Sequence, residues 1–250
     1  MNGLLALAVI PPLFLMRYVY RLDSVEKEPK GLIMKLVFLG MLSCIPAGII
    51  ESVLSELMSL FLDPHSISGI LVMNFLIIAA AEEGVKLWVT KRTWNNPAFN
   101  YRFDGVVYAV AASIGFALLE NVMYVFMDEG GGLMTGLMRA VTSIPGHCTF
   151  GVFMGLYYGE AKYAEKHRDP ELCRWLLRRA YRIPLLLHGT YDFILSTDWD
   201  FMIIVFFAYI FVLYTYAKKR IRAAAAADEP VEPPQVLEGY REYPWGNPFV

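Results

Sequence analysis

Residues 105–126 read GVVYAVAASIGFALLENVMYVF. A helix needs about 20 mostly apolar residues to cross the hydrocarbon core of a bilayer. This run predicts such a helix, and it carries one charged side chain, Glu120. Six further apolar runs lie around it, at 3–20, 32–54, 70–88, 137–158, 183–196 and 201–217. The sixth span, 183–196, is short and could start nearer Trp175. The breaks fall at Asp63-Pro64, Asn96-Pro97, the glycines 130–132, Asp169-Pro170 and residues 197–200, all turn formers or charges. The expected fold class is all-α: a polytopic membrane helix bundle of about seven transmembrane helices.

Composition agrees. Of 250 residues, 56% are hydrophobic, above the usual share for a soluble domain. Lys and Arg number 22, and 21 of them fall in residues 17–35, 86–102, 160–182 and the stretch after 217, with Arg139 alone elsewhere. Cytoplasmic loops retain positive charge. The alternation predicts an outside N-terminus and a cytoplasmic C-terminus. The first run has no basic segment before it and no small-x-small cleavage site, so it is read as a retained span rather than a signal peptide. Residues 1–222 form the expected transmembrane domain. Residues 223–250, with their alanine run and prolines, form an expected flexible cytoplasmic tail. A net charge of −2 offers no surplus for nucleic acid. Cys44, Cys148 and Cys173 are widely spaced, without a CxxC, and are expected to be core cysteines rather than a disulfide or zinc framework.

An ionisable group at mid-bilayer costs about 2.5–3.5 kcal/mol on insertion scales and usually faces a cavity. Several such groups occur here. Glu82-Glu83-Gly84-Val85-Lys86 lies in the third run. Glu82 and Lys86 are four apart and can pair, while Glu83 is turned about 100° away. Glu120, followed by Asn121, lies in the fourth run. Arg139 and His147 lie in the fifth. His188 and Asp192 are four apart in the sixth, where an acid can orient an imidazole. Each has a plainer reading: Lys86 snorkelling at a span end, Glu120 near the outer surface, His147 as a helix contact, Arg139 as an outer anchor, His188–Asp192 as a helix-stabilising pair. Glu51 and Glu56 are read as surface residues. At 1.5 Å per residue Glu120 lies roughly 22 Å into its span from the inside end and Glu82 roughly 9 Å into its own. The two meet only if helices tilt, kink or extend, and Gly84 and Pro145 offer places for irregularity. Glycines 151, 155 and 159, with Gly105, Ala109, Ala111 and Gly115, predict close packing of the fourth and fifth spans.

The sequence lacks GxSxG, HExxH, Walker A and GxGxxG motifs. It resembles the PrsW family, bacterial intramembrane proteases related to the CAAX prenyl proteases. EEGVK at 82–86, FALLE at 116–120 and HGTYD at 188–192 match that family's EExxK, FxxxE and HxxxD motifs, in order and on separate predicted helices. DSVEKEP at 23–29, DGVVY at 104–108 and PGH at 145–147 are also similar. The resemblance spans about residues 18–215. It implies cleavage of membrane-anchored proteins such as anti-sigma factors, in regulated proteolysis at the bacterial cell membrane. Glu82 or Glu83 would activate the water, Glu82 being preferred. His188, oriented by Asp192, would stabilise the oxyanion or position the water, and Lys86 would hold a glutamate charged. Glu120 stands where the CAAX proteases carry a histidine. With His147 it joins the expected site residues, and Asn121 and Arg139 are expected to support them. No cofactor is expected, with zinc as the alternative, held by Glu120, His147 and His188. Two other functions stay open: a non-catalytic membrane scaffold or chaperone, and a zinc-dependent membrane hydrolase acting on lipid.

Overall fold

The computed structural model describes residues 2–127, 132–197 and 199–233. The helices are α1 (Asn2–Leu22), α2 (Lys30–Ser59), α3 (Ile67–Leu71), a π-helical stretch (Val72–Ile78), α4 (Ala79–Thr90), α5 (Asp104–Phe126), α6 (Leu133–Val141), α7 (Ser143–Lys166), α8 (Pro170–Ser196) and α9 (Met202–Ala226). The π-helical stretch runs directly into α4, and a 3₁₀ turn, Lys91–Thr93, follows α4. No strand occurs among the described residues; one isolated bridge joins Tyr101 and Pro230. Among the described residues four helices are long and apolar enough to cross a membrane: Gly3–Leu22, Lys30–Ser59, Asp104–Phe126 and Met202–Ala226. Large side chains such as Phe14, Met34 and Phe211 face outward. Apolar exposure on this scale suits lipid better than water.

Local chemistry sets the ends. Asp169 accepts a hydrogen bond from Leu172 N–H at 2.9 Å, and Pro170 opens α8, a position where its missing N–H does no harm. Ser66 caps α3 through Gly69 N–H at 3.0 Å. The run 137–158, expected as one span, is two helices broken at Thr142. Pro145 has no N–H to give the preceding turn, so a fresh helix starts at Ser143. The sixth span is one long helix from Pro170. Its arginines 174, 178, 179 and 182 obscure it on hydropathy but do not interrupt it. The segment expected as a tail from Ala223 begins inside α9, which runs to Ala226 because alanine is the best helix former. Beyond it, Asp228 Oδ1 accepts from Phe103 N–H at 2.9 Å, and Val231 N–H donates to Asn100 O at 2.8 Å. Residues 234–250 of that tail, and glycines 130 and 131, lie outside the described residues.

α5 is the central rod, buried over most of its length between α2 and α7. A Cβ on Gly115 would lie 2.1 Å from Val37 O, and one on Gly155 would lie 2.3 Å from Val106 Cα. These contacts are backbone to backbone, which only small residues allow. Gly155→Leu is therefore expected to lower the melting temperature of purified protein by about 5 °C or more, as overpacking of a tight interface costs about 1–3 kcal/mol. Gly31→Leu, with nothing within 4 Å of the added carbon, should leave the melt unchanged.

The connections rich in Lys and Arg gather at one end. Asn100 donates to Glu26 at 2.8 Å, Lys166 to Glu232 at 2.8 Å, and Arg102 to both Glu160 and Glu229. This end also accounts for the levels of Glu82 and Glu120. The Lys86 ammonium lies 4.2 Å from the centre of the Phe116 ring. Phe116 is about 18 Å along α5, while Lys86 is only about 6 Å from the end of α4. Residues 91–103 bridge the difference, so α4 ends well short of the level at which α5 begins.

Candidate active site

Three side chains of α4, Glu82, Glu83 and Lys86, anchor the site, and of them Glu82 reaches the cavity wall. Lys86 is fully buried and donates to Glu82 Oε2 at 2.9 Å and Glu83 Oε1 at 2.8 Å. From helix geometry Glu83, turned about 100° from Glu82, is expected to face elsewhere. Both glutamates reach Lys86, because positions three and four apart flank the same stripe of a helix and lysine's four-carbon stem spans either. Nor does Lys86 snorkel to a surface. A buried lysine requires compensation, and here two carboxylates of its own helix provide it.

His147, one turn into α7, stands opposite. Its Nδ1 is 3.0 Å from Lys86 Nζ and its Nε2 is 2.9 Å from Glu120 Oε2. A charged lysine can only donate. Nδ1 therefore accepts, and Nε2–H donates to Glu120. The other Glu120 partner is Arg139 on α6, at 2.6 Å. Arg139 Nε also donates to Asn121 at 2.9 Å, and its guanidinium lies over the Tyr124 ring. Asn121 in turn donates to Ala8 O at 3.1 Å, tying α1 to the group. From α8, His188 places Nδ1 2.9 Å from Glu83 Oε1 and Nε2 3.2 Å from Asp192 Oδ2. The two imidazole rings are 5.3 Å apart, and Phe150 stacks on His188 at 4.8 Å.

All nine expected site residues thus join one connected polar cluster drawn from α4, α5, α6, α7 and α8. It borders a cavity of about 640 Å³ whose walls include Glu82, Glu120, Arg139, His147, His188 and Asp192. Glu83, behind Glu82, does not line it.

Two further polar residues enter the walls. Glu51, read from sequence as a surface residue, lines the cavity, and its Oε1 is buried with no hydrogen-bond partner among the described residues. The reason is length: α2 continues to Ser59, so Glu51 sits two turns inside the helix end. Glu56 is exposed as expected. Asn74 also lines the cavity, donating to Ile70 O at 2.8 Å and accepting from Ser196 at 3.2 Å. It lies in the π-helical stretch just before the glutamates. Such stretches frequently mark functional sites. A lone amide in the apolar run 70–81 was the available signal.

The donor atoms also suit a metal. One oxygen of Glu82 and one nitrogen each of His147 and His188 lie within 4.8 Å of one another, all buried. Two imidazoles and a carboxylate are a known catalytic zinc set. Each ring has a carboxylate at its far nitrogen, Glu120 or Asp192, the usual outer support of a histidine ligand. Glu120, counted from sequence as a ligand, instead stands behind His147. The cation among these donors here is the Lys86 ammonium.

A family model described as PrsW family intramembrane metalloprotease matches residues 28–217. Relatives named Protease PrsW include one from Geobacillus kaustophilus, 30% identical over 94% of this chain and 98% of its own length. One from Clostridioides difficile is 32% identical, covering 84% of this chain and 87% of the relative. One from Bacillus subtilis is 28% identical, covering 89% and 97%. No solved structure is a significant match.

Proposed function

Because the chain belongs to the PrsW family of intramembrane proteases, multi-pass proteins of bacterial membranes, we propose that it hydrolyses peptide bonds of membrane-anchored proteins by a glutamate-led mechanism. The observation that carries this reading is the pair of roles on α4: Glu82 faces the cavity while Glu83 and Lys86 are sealed behind it. Glu82 takes a proton from water admitted to the cavity. The oxygen attacks the scissile carbonyl, and the proton passes to the departing amine. General-base assistance of this kind is worth about 10²–10⁴ in rate. Lys86 offsets the charge of both glutamates. His188, held between Glu83 and Asp192, and His147, held between Lys86 and Glu120, line the cavity and position the water and the scissile carbonyl. The Glu120–Arg139–Asn121 group fixes the opposite wall.

A second reading rests on the donor trio. Glu82, His147 and His188 would hold a zinc ion, with Glu120 and Asp192 orienting the rings. A bound ion would polarise the carbonyl and acidify water. Metal content of the purified protein separates the two. Near one zinc per chain, with activity lost to chelator and regained on zinc, favours the second; activity indifferent to chelator favours the first. Asp192→Asn should reduce turnover about 10–100-fold in either case, since it loosens His188.

The membrane placement proposed is seven spans, with α3, the π-helical stretch and α4 crossing as one rod and α6 with α7 as another. The end that gathers the basic connections faces the cytoplasm, and the N-terminus lies outside. An anti-sigma factor is the substrate class that the family resemblance implies. The test is cleavage of a membrane-tethered reporter by purified protein in vesicles. Products cut within or beside the tether support the proposal. A tightly held partner with no turnover would replace it with a scaffold.

A further inference from the structure

A second cluster, at the end of the molecule where the basic connections gather, plays no part in this chemistry. Asp23 follows α1, Glu28 precedes α2, and Asp104 opens α5. One oxygen from each lies within 4.8 Å of the others. The three residues are 1%, 2% and 0% exposed. Three buried carboxylates at this range repel one another and lose their hydration, so they need a counter-charge. Among the described residues no Lys or Arg nitrogen lies within 4.0 Å of any of them. Lys27, the nearest in sequence, spends its ammonium on Tyr20 O and Arg21 O.

The hydrogen bonds present leave oxygens over. Asp104 Oδ2 accepts from Asn100 and Tyr101 N–H, at 3.0 and 2.7 Å, and Glu28 Oε2 accepts from Tyr108 O–H. Asp104 Oδ1 has no hydrogen-bond partner among the described residues. Asp23 is the independent sign: it is 99% buried and neither of its carboxylate oxygens has a hydrogen-bond partner among the described residues. A buried carboxylate with no hydrogen-bond partner among the described residues, turned toward two others, suits a ligand that accepts oxygen lone pairs.

We propose that Asp23, Glu28 and Asp104 bind a hard divalent cation, Mg²⁺ or Ca²⁺, which clamps the ends of α1, α2 and α5 together. The donor set is all oxygen, with no imidazole or thiolate, which selects these ions over zinc. The site is separate from the His-containing cluster, which shares none of these residues.

The experiment uses the full chain in lipid nanodiscs, stripped with chelator and titrated with MgCl₂ or CaCl₂ while thermal unfolding is followed. A ligand at a hundred times its Kd stabilises by RT ln(1 + [L]/Kd), which for a chain of this size corresponds to a rise of about 5 °C or more. The rise should survive His188→Ala and vanish in Asp23→Asn. If Asp23→Asn does not fold, Glu28→Gln serves, and Mn²⁺ binding to the wild type, read by electron paramagnetic resonance, gives the stoichiometry directly. One Mn²⁺ per chain, displaced by Mg²⁺ or Ca²⁺, supports the clamp. No rise with either ion and no bound Mn²⁺ overturns it, as does a rise that Asp23→Asn retains. An Asp23→Asn protein more stable than stripped wild type, with no ion effect in either, would mean that the carboxylates share protons instead.

Discussion

Glu82→Gln is expected to leave a folded protein that cleaves a tethered substrate at least about 10³-fold more slowly, near the upper range for loss of a general base. The substitution keeps the side chain's length, and its amide oxygen can still accept from Lys86, so the buried cluster retains its bonds. What goes is the cavity-facing carboxylate able to hold a proton. Glu83→Gln makes the informative comparison. Glu83 lies outside the cavity wall but bonds Lys86 and His188, so its loss should act through their positions and cost less turnover. Single-turnover cleavage of the reporter, with thermal unfolding as the folding control, checks both. Equal and full activity in the two variants would remove the glutamate-led mechanism.

The second large effect is on stability. Lys86→Met should lower unfolding free energy by about 3–5 kcal/mol, the usual result of removing one partner from a buried ion group. Lys86 is 0% exposed and is bonded to Glu82, Glu83 and His147. Methionine fills much of the space but strands two carboxylates. Thermal unfolding in nanodiscs reads the effect. An unchanged melt would mean that the two glutamates are neutralised some other way. Zinc offers a second use of the same variant: if Glu82, His147 and His188 hold the ion, adding zinc should restore much of the lost stability.

The membrane character was plain in the sequence because lipid demands long apolar runs, and those runs coincide with helices at nearly every break. The intramembrane Glu and His residues were legible for the same reason, being costly unless they converge. Three features were hidden. Val72–Ile78 is uniformly apolar, and nothing in hydropathy distinguishes a π turn from an α turn. The arginines on α8 lower its mean hydropathy, yet they decorate the surface of a helix that continues regardless. Glu51 was assigned outward because the apolar run ends near it, whereas the helix does not. The levels of Glu82 and Glu120 conflicted on the assumption that each span starts at the same plane. The folded segment 91–103 removes that assumption, and no periodicity announces it.

The most direct test of the central claim, that these side chains meet in one water-filled cavity inside the bundle, is thiol labelling in membrane vesicles. In a chain with Cys44, Cys148 and Cys173 replaced by alanine, Ile78→Cys and Leu76→Cys would each be exposed to a small charged thiol reagent, which reacts only with hydrated thiolate. Ile78 lines the cavity and Leu76, two residues away on the same rod, faces outward. Ile78→Cys should be modified rapidly and Leu76→Cys almost not at all. Modification of Leu76→Cys with an inert Ile78→Cys would contradict a water-filled cavity inside the bundle.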